Sequence, residues 1–595
     1  MSAVESLAGY MPCMSRPRPP TYSNICADKD AESLPTPGFR TRKTSRWLER
    51  LPPKTMLALV APIILFSCLL FGMSKESLSA LRSSHSKDSD PGSVATTDRG
   101  GPRRLRVIVP ADGPSPDLCK MLMSSLVSGY PSPVIVNWGR DFHKSPGWFG
   151  GSHLGKIDGA LGFLDAITSD RAPPDERLRD DDLVLVVDAY DVWFQLPPSL
   201  LIRRYLAQLR AADERILKAW GGGRRRPPSN TNTNTNNTAA AAFIPHQTIV
   251  ISTQKKCWPD PTLGADPHCD RLPESTARHD LYGPHTDEEP ETQFHDVRPR
   301  YVNSGSLIGP VGDVRRALRR AQQKVDEKRA ARNAIFSDQG VLAEMFGEQE
   351  MWRASQQRRR RRRFRDTQEG GGGDDDDDAQ VALEADRFDY GIGLDYTQDL
   401  FAPTVFEEDD GEYVVLSNET ALRIAADERV IIPPRVRGVP GDMLGLQTPL
   451  AETGVDENLG WADVPLYTDF WTTQVPVAVH HNAHRNGLKP LRLRDWWRKT
   501  WFFPHLRRLV EMRERPGALE PLLRLPGRDA AKDVVYWAPA SDANKTRTRV
   551  FDKEKLETQG LPEADWDTLC KTEEHGEWWN LVFQDDQGPF VKKTG

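Results

Sequence analysis

Short, fully apolar runs alternate with longer amphipathic stretches along the first half of the chain. The apolar runs predict strands at residues 104–110, 133–137, 183–187, 248–252 and 301–308. The amphipathic stretches predict helices at residues 121–128, 156–168 and 199–209. Strands that alternate with helices indicate an α/β sheet. The wholly apolar run Leu183–Val187 is typical of a central, parallel strand.

A longer apolar run lies near the N-terminus. Met56–Met73 carries no charged residue, which predicts a transmembrane helix. Lys and Arg residues are concentrated between Arg40 and Lys54, just before this run. The positive-inside rule then places the N-terminus in the cytosol. We therefore expect a single-pass type II protein of the Golgi or endoplasmic reticulum membrane, with the rest of the chain in the lumen.

Changes in composition predict how the chain is divided. We expect a disordered cytosolic tail (residues 1–53), a transmembrane helix (54–74), a stem (75–103), a folded domain (104–485) and a Trp-rich C-terminal extension (486–595). Three low-complexity segments, at about residues 221–242, 260–299 and 356–379, are expected to be disordered insertions in the folded domain. The tryptophans of the extension either pack against that domain or bind sugar rings.

Charge argues against a nucleic-acid partner. The formal net charge is −6, whereas nucleic-acid binding usually requires a basic footprint. The run Arg358–Arg363 could bind a polyanion, but Asp374–Asp378 follows it closely. We expect these two runs to neutralise each other in a solvated loop. The sequence does not indicate an oligomeric state.

Cysteines and glycosylation triplets are compatible with a luminal domain. Four cysteines follow the transmembrane segment, at positions 119, 257, 269 and 570, and they allow one or two disulfides. Cys257 and Cys269 are the pair nearest in sequence. Acceptor triplets for N-glycosylation occur at Asn236, Asn418 and Asn544.

Two carboxylates follow the predicted central strand. Asp188 comes directly after Leu183–Val187, and Asp191 lies three residues later. Ligands of open α/β sheets bind beyond the carboxyl ends of the strands. Carboxylate oxygens suit Mn2+ or Mg2+, which bridge the oxygens of a diphosphate. A capping or turn role is the alternative for this pair.

His480 follows a second apolar run, Val475–Val479, and also lies at a predicted strand end. A neutral imidazole can complete a metal site that is built on carboxylates. His481 is the alternative ligand if the register differs by one residue.

Several motifs resemble the glycosyltransferase domain of the procollagen lysyl hydroxylase/glucosyltransferase family, which is related to the collagen galactosyltransferases. In chain order they are GGSHLGKIDGAL (150–161), LVVDAYDVWF (185–194), CWPDP (257–261), YVNSGSLIGP (301–310), SDQ (337–339), LDYTQDLF (394–401) and VAVHHN (477–482). The resemblance covers roughly residues 104–485. It implies a GT-A-like, Rossmann-like fold, a UDP-sugar donor, Mn2+ (or Mg2+), and transfer of a hexose to a hydroxyl of a protein or glycan acceptor.

The resemblance also implies roles for individual residues. Asp188, Asp191 and His480 resemble the metal ligands. Asp338 resembles the catalytic acidic residue near the acceptor. Donor-binding positions are implied at Lys156, Asn303, Ser304 and Gly305. The family has a pair of acids before the glutamine, whereas this chain has only Asp338 before Gln339.

Two other functions compete with this interpretation. The same family carries an Fe(II)-dependent hydroxylase domain, which needs a His-x-Asp pair and a distant histidine. His285 and Asp287 match that pattern, but they lie in a predicted insertion without flanking strands. The other alternative is a non-catalytic luminal sugar-binding or scaffold protein that retains the fold, and the missing acid beside Asp338 favours it.

Overall fold

A computed structural model describes residues 101–590, apart from residues 143–150, 221–243, 262–263, 291–293, 332–334, 336, 369–383, 386, 457 and 528–531. The predicted tail, the transmembrane segment and the insertion at 221–242 lie outside this part of the chain. Among the described helices, none is long and apolar enough to cross a membrane.

The described strands are numbered in chain order. They are β1 (Gly101–Pro110), β2 (Val134–Val136), β3 (Leu183–Val187), β4 (Val192–Phe194), β5 (Ile249–Gln254), β6 (Tyr301–Pro310), β7 (Ile392–Leu394), β8 (Phe401–Pro403), β9 (Gly411–Val415), β10 (Pro465–Asp469), β11 (Ala478–His480), β12 (Leu523–Leu525), β13 (Val534–Trp537) and β14 (Arg549–Val550).

The described α-helices are numbered in the same way. They are α1 (Pro116–Val127), α2 (Gly151–Ile167), α3 (Pro198–Ala219), α4 (Val311–Ala330), α5 (Asp338–Gln368), α6 (Glu419–Glu428), α7 (Pro449–Glu452), α8 (Leu488–Asp495), α9 (Leu506–Arg513), α10 (Leu556–Gln559), α11 (Trp566–Cys570) and α12 (Trp579–Val582).

The main sheet is mixed. Its strands follow the order β12-β13-β1-β3-β6-β5-β7, and β2 pairs with both β1 and β14. β3 runs parallel to β1 but antiparallel to β6. The predicted central position of Leu183–Val187 is therefore confirmed, while the predicted parallel pairing holds on one side only. The arrangement is compatible with a Rossmann-like α/β fold.

Helices cover both faces of this sheet. Along β3, Leu183, Leu185 and Val187 belong to one buried cluster, and Val184 and Val186 belong to the other. This division follows from the two-residue period of a strand. Burial on both faces explains why β3 is apolar at every position.

The C-terminal stretch predicted as an extension contributes strands to the same sheet. β13 pairs in parallel with β1, and β14 pairs in parallel with β2. A disulfide between Cys119 and Cys570 also joins α1 to α11. Four tryptophans are buried, at positions 497, 501, 566 and 578, which agrees with the packing alternative.

Residues 260–299 were predicted to be a disordered insertion, and the structure contradicts this prediction. Its described residues are ordered loops with buried side chains such as Tyr282 and Arg298. The disulfide Cys257–Cys269 closes its beginning. Arg298 bonds Asp287 and the Ser275 carbonyl, so polar contacts replace the missing apolar anchors. The start of the predicted insertion at 356–379 is likewise ordered, because residues 356–368 continue α5.

Candidate metal centre

Asp188 and Asp191 lie beyond the carboxyl end of β3. The Asp188 amide donates to the Gly305 carbonyl of the neighbouring strand β6 at 2.9 Å. Asp191 is 5% exposed, whereas the Asp188 side chain is 28% exposed. One carboxylate is therefore buried at the base of the site, and the other is open to a ligand.

Strand pairing brings His480 to these carboxylates. β11 pairs antiparallel with β4, which begins directly after Asp191, and His480 lies opposite Val192. The His480 Nε2 atom lies 3.2 Å from Asp191 Oδ2 and 3.7 Å from Asp188 Oδ2. One ligand atom from each of the three residues lies within 4.8 Å of the others. Two carboxylates and an imidazole at this spacing can hold a divalent cation.

Asn303 and Gly305 hold the imidazole in place. His480 Nδ1 lies 3.2 Å from Asn303 Oδ1. A Cβ atom on Gly305 would lie 2.2 Å from that same nitrogen, so only glycine leaves room for the ring. The bond to Nδ1 directs Nε2 toward the carboxylates, which is how metal-ligating histidines are usually oriented.

Lys156 links Asp188 to Asp338. Its Nζ atom lies 2.5 Å from Asp188 Oδ1 and 2.7 Å from Asp338 Oδ2, and it donates to the Ser304 carbonyl at 3.1 Å. Asp338 begins α5 and is 3% exposed. All eight residues singled out from the sequence therefore lie in one connected site.

Cations already compensate the acidic charge of this site. Burial lowers the pKa of Lys156, but Asp188 and Asp338 outweigh burial and raise it. Burial raises the pKa of Asp191, but His480 and the Lys489 ammonium outweigh burial and hold it well below its ordinary value. The Lys489 Nζ atom lies 2.5 Å from Asp191 Oδ2. Each of the two carboxylates is therefore already paired with a lysine ammonium group.

A cleft of about 140 Å³ adjoins the carboxylates. Its lining also contains polar residues that were not singled out from the sequence, among them Asp112, Tyr190 and Lys489. The Tyr190 hydroxyl donates to Asp112 Oδ1 at 3.1 Å. Asp112 follows the end of strand β1, so the sequence pattern could have predicted that it belongs to the site. Lys489 offered no such signal, because it belongs to the C-terminal stretch.

His481 is not available as a ligand in this arrangement. It is fully buried, and its ring centroid lies 4.0 Å from that of Trp193. Burial lowers the pKa of His481 well below its usual value, so the ring is neutral. His480 is the last residue of β11, and its pairing with Val192 of β4 brings it, and not His481, to the carboxylates.

The His-x-Asp pattern does not form a metal site among the described residues. His285 is exposed and bonds Glu288 at 2.8 Å. Asp287 is bound to the Arg298 guanidinium at 2.5 Å. Neither residue belongs to a group of potential metal ligands in the described ranges.

A second acidic group is buried elsewhere. Glu407, Asp410 and Asp469 have ligand atoms within 4.8 Å of one another. The buried Lys255 ammonium binds Asp410 directly, and His295 Nε2 lies 3.0 Å from it. Lys255 therefore compensates Asp410, whereas burial raises the pKa of both Glu407 and Asp469.

Comparison with known proteins adds no assignment. The chain matches no protein-family model, and it matches no curated protein.

Proposed function

We propose that this protein is a metal-dependent glycosyltransferase with a GT-A-like domain. It transfers a hexose from a UDP-sugar to a hydroxyl of a protein or glycan acceptor. We further propose that it is a single-pass type II membrane protein of the Golgi or endoplasmic reticulum, with the enzyme in the lumen.

One observation carries the proposal. Asp188, Asp191 and His480 come from distant parts of the chain and converge beyond the carboxyl end of β3. The adjoining cleft is lined from the ends of β1, β2 and β3, where α/β sheets bind ligands. A partly buried metal-ligand set beside such a cleft supports a diphosphate ligand over a capping role.

The residues of the site have distinct tasks in this proposal. Asp188, Asp191 and His480 would hold Mn2+ or Mg2+, which when bound offsets the charge of a diphosphate. Lys156 keeps Asp188 and Asp338 in fixed positions through its two ion pairs. Asp338 would orient the acceptor hydroxyl or offset positive charge at the anomeric carbon.

The cysteines support a luminal location. The described cysteines form two disulfides, Cys119–Cys570 and Cys257–Cys269. Such bonds persist in oxidising compartments and are rare in the cytosol. Asn418 and Asn544 of the glycosylation triplets are exposed, as an acceptor site requires.

Release of UDP from a panel of UDP-hexoses, with Mn2+ or with EDTA, tests the proposal. The wild-type protein should release UDP only with the metal. Asp191→Asn should lower the rate about 100-fold or more, because it weakens the metal site. Asp427→Asn, an exposed change on α6, should leave the rate unchanged. Full activity of Asp191→Asn with unaltered metal dependence would refute the assignment.

The alternative is a non-catalytic luminal sugar-binding or scaffold protein. The single acid before Gln339 favours it, since that acid is already committed to Lys156. The same assay separates the two functions. Binding of a UDP-sugar without UDP release under any metal condition would establish the alternative.

A further inference from the structure

A second cleft, of about 420 Å³, lies between α3, α5 and β7. It shares no lining residue with the cleft beside the metal centre. Its volume is within the range of ordinary small-ligand sites.

Two buried polar side chains line this cleft without polar partners. Gln247 is 7% exposed and Tyr396 is 8% exposed. In the described part of the chain, no hydrogen bond engages the Gln247 amide or the Tyr396 hydroxyl. Neither group is among the fully buried side-chain atoms that lack a partner, so their polar atoms are open to the cleft.

The backbone is shaped to accommodate Gln247. A Cβ atom on Gly393 would lie 2.0 Å from Gln247 Cδ. The amide therefore lies directly against strand β7, in space that any larger residue would fill. This arrangement holds a polar group at the cleft floor.

The rim of the cleft has uncompensated positive charge. Arg215 is exposed and forms no ion pair with any described residue. The acids of the lining are already neutralised, because Glu350 pairs with Arg353 and Glu274 pairs with Arg298, each at 3.0 Å.

We propose that this cleft binds a sugar residue that carries a carboxylate or sulfate group, as part of an anionic glycan. The Gln247 amide and the Tyr396 hydroxyl can each donate to and accept from sugar hydroxyls. Arg215 would bind the anionic substituent by charge-assisted hydrogen bonds. The rings of Trp220 and Tyr396 add an apolar surface for the sugar ring. The inference rests on the proposed function only for the choice of a glycan as ligand.

Calorimetric titration of the full-length protein with a heparin-derived tetrasaccharide, in EDTA, tests this site. Gln247→Leu, Tyr396→Phe and Arg215→Met should each weaken binding, and Gln247→Leu by about tenfold or more. Arg210→Met is the matched control, because Arg210 is exposed on the same helix and does not line the cleft. It should bind like the wild type.

Three results would overturn the proposal. The first is no binding by the wild type. The second is equal binding by Gln247→Leu, Tyr396→Phe and the wild type, which would place the glycan elsewhere, such as on the exposed arginines of α5. The third is equally tight binding of neutral maltotetraose, which would contradict the anionic requirement. Because EDTA removes the metal, these results are independent of UDP release.

Discussion

Gly305 lies directly against the His480 ring, and this close contact makes Gly305 critical for the metal centre. Gly305→Ala places a Cβ atom 2.2 Å from His480 Nδ1 and must displace the imidazole. We expect Mn2+ affinity to fall about 10-fold to 100-fold, as when the groups that orient a ligand are lost. Titration of the free Mn2+ signal by electron paramagnetic resonance measures this change.

Gly162→Ala is the matched control for that variant. A Cβ atom on Gly162 of α2 meets no atom within 4 Å. We expect unchanged Mn2+ affinity and a free energy of unfolding that rises by up to about 1 kcal/mol. Equal Mn2+ affinity in both variants would show that His480 is not a ligand.

The raised pKa of Asp469 makes part of the protein's stability depend on pH. Burial, followed by the charge of Asp410, raises the pKa of Asp469 to about 6. Because the folded protein holds this proton more tightly than the unfolded chain, the stability that Asp469 contributes is greatest below about pH 4. It should then decrease as the pH rises to about 6 and stay constant above that. The expected change is about 1–3 kcal/mol.

Asp469→Asn isolates this contribution. The asparagine keeps an oxygen for the amides of Trp471 and Thr472, which bond Asp469 at 2.8 and 2.7 Å. The difference in unfolding free energy between the two proteins should vary with pH between about 4 and 6. A constant difference across that range would contradict the shifted pKa.

At the scale of elements, β14 is attached to the sheet through a buried ion network. Arg549 is fully buried and binds Glu176 at 3.1 Å and Asp542 at 2.6 Å. Arg106 of β1 also binds Glu176. Two carboxylates near two guanidinium groups fix the C-terminal stretch to the core.

Arg549→Met should lower the free energy of unfolding by about 3–5 kcal/mol, because it leaves buried carboxylate charge uncompensated. Arg524→Met is a contrasting change, since the Arg524 side chain is 59% exposed and its guanidinium lies 3.5 Å from Asp533. That variant should lose less than about 1 kcal/mol. Urea denaturation compares them, and equal losses would show that β14 is not anchored by this network.

At the scale of the whole molecule, one disulfide connects the two ends of the described fold. Cys119 and Cys570 are 451 residues apart, whereas Cys257 and Cys269 are 12 apart. In the chain-entropy account, a cross-link that closes a longer loop stabilises more. Changing both Cys119 and Cys570 to alanine should cost about 2–5 kcal/mol.

The paired changes Cys257→Ala and Cys269→Ala should cost less than the removal of the long-range bridge. Thermal unfolding of both double variants, beside the wild type, measures the order of the two losses. A larger loss on removal of the short loop would contradict a role of Cys119–Cys570 in holding the termini together.

Local pattern in the sequence predicted the main strands and helices of the first half of the chain and part of the site. The apolar run Leu183–Val187 predicted β3 with the bounds that the structure has. The position of Asp188 and Asp191 at its end followed directly, because burial and strand periodicity are local properties. A strand at Val475–Val479 was predicted for the same reason, whereas β11 covers Ala478–His480, so His480 is its last residue.

Tertiary structure alone decided which distant segments meet. The antiparallel insertion of β6 beside β3, and the docking of β13 and β14, depend on pairings that no local periodicity encodes. The choice of His480 over His481 depends on the register of β11 against β4. The contact of Lys489 with Asp191 also depends on tertiary packing, because the two residues lie in distant segments of the chain. Strand periodicity predicts which residues share a face, but only the packed chain determines which faces and ends meet.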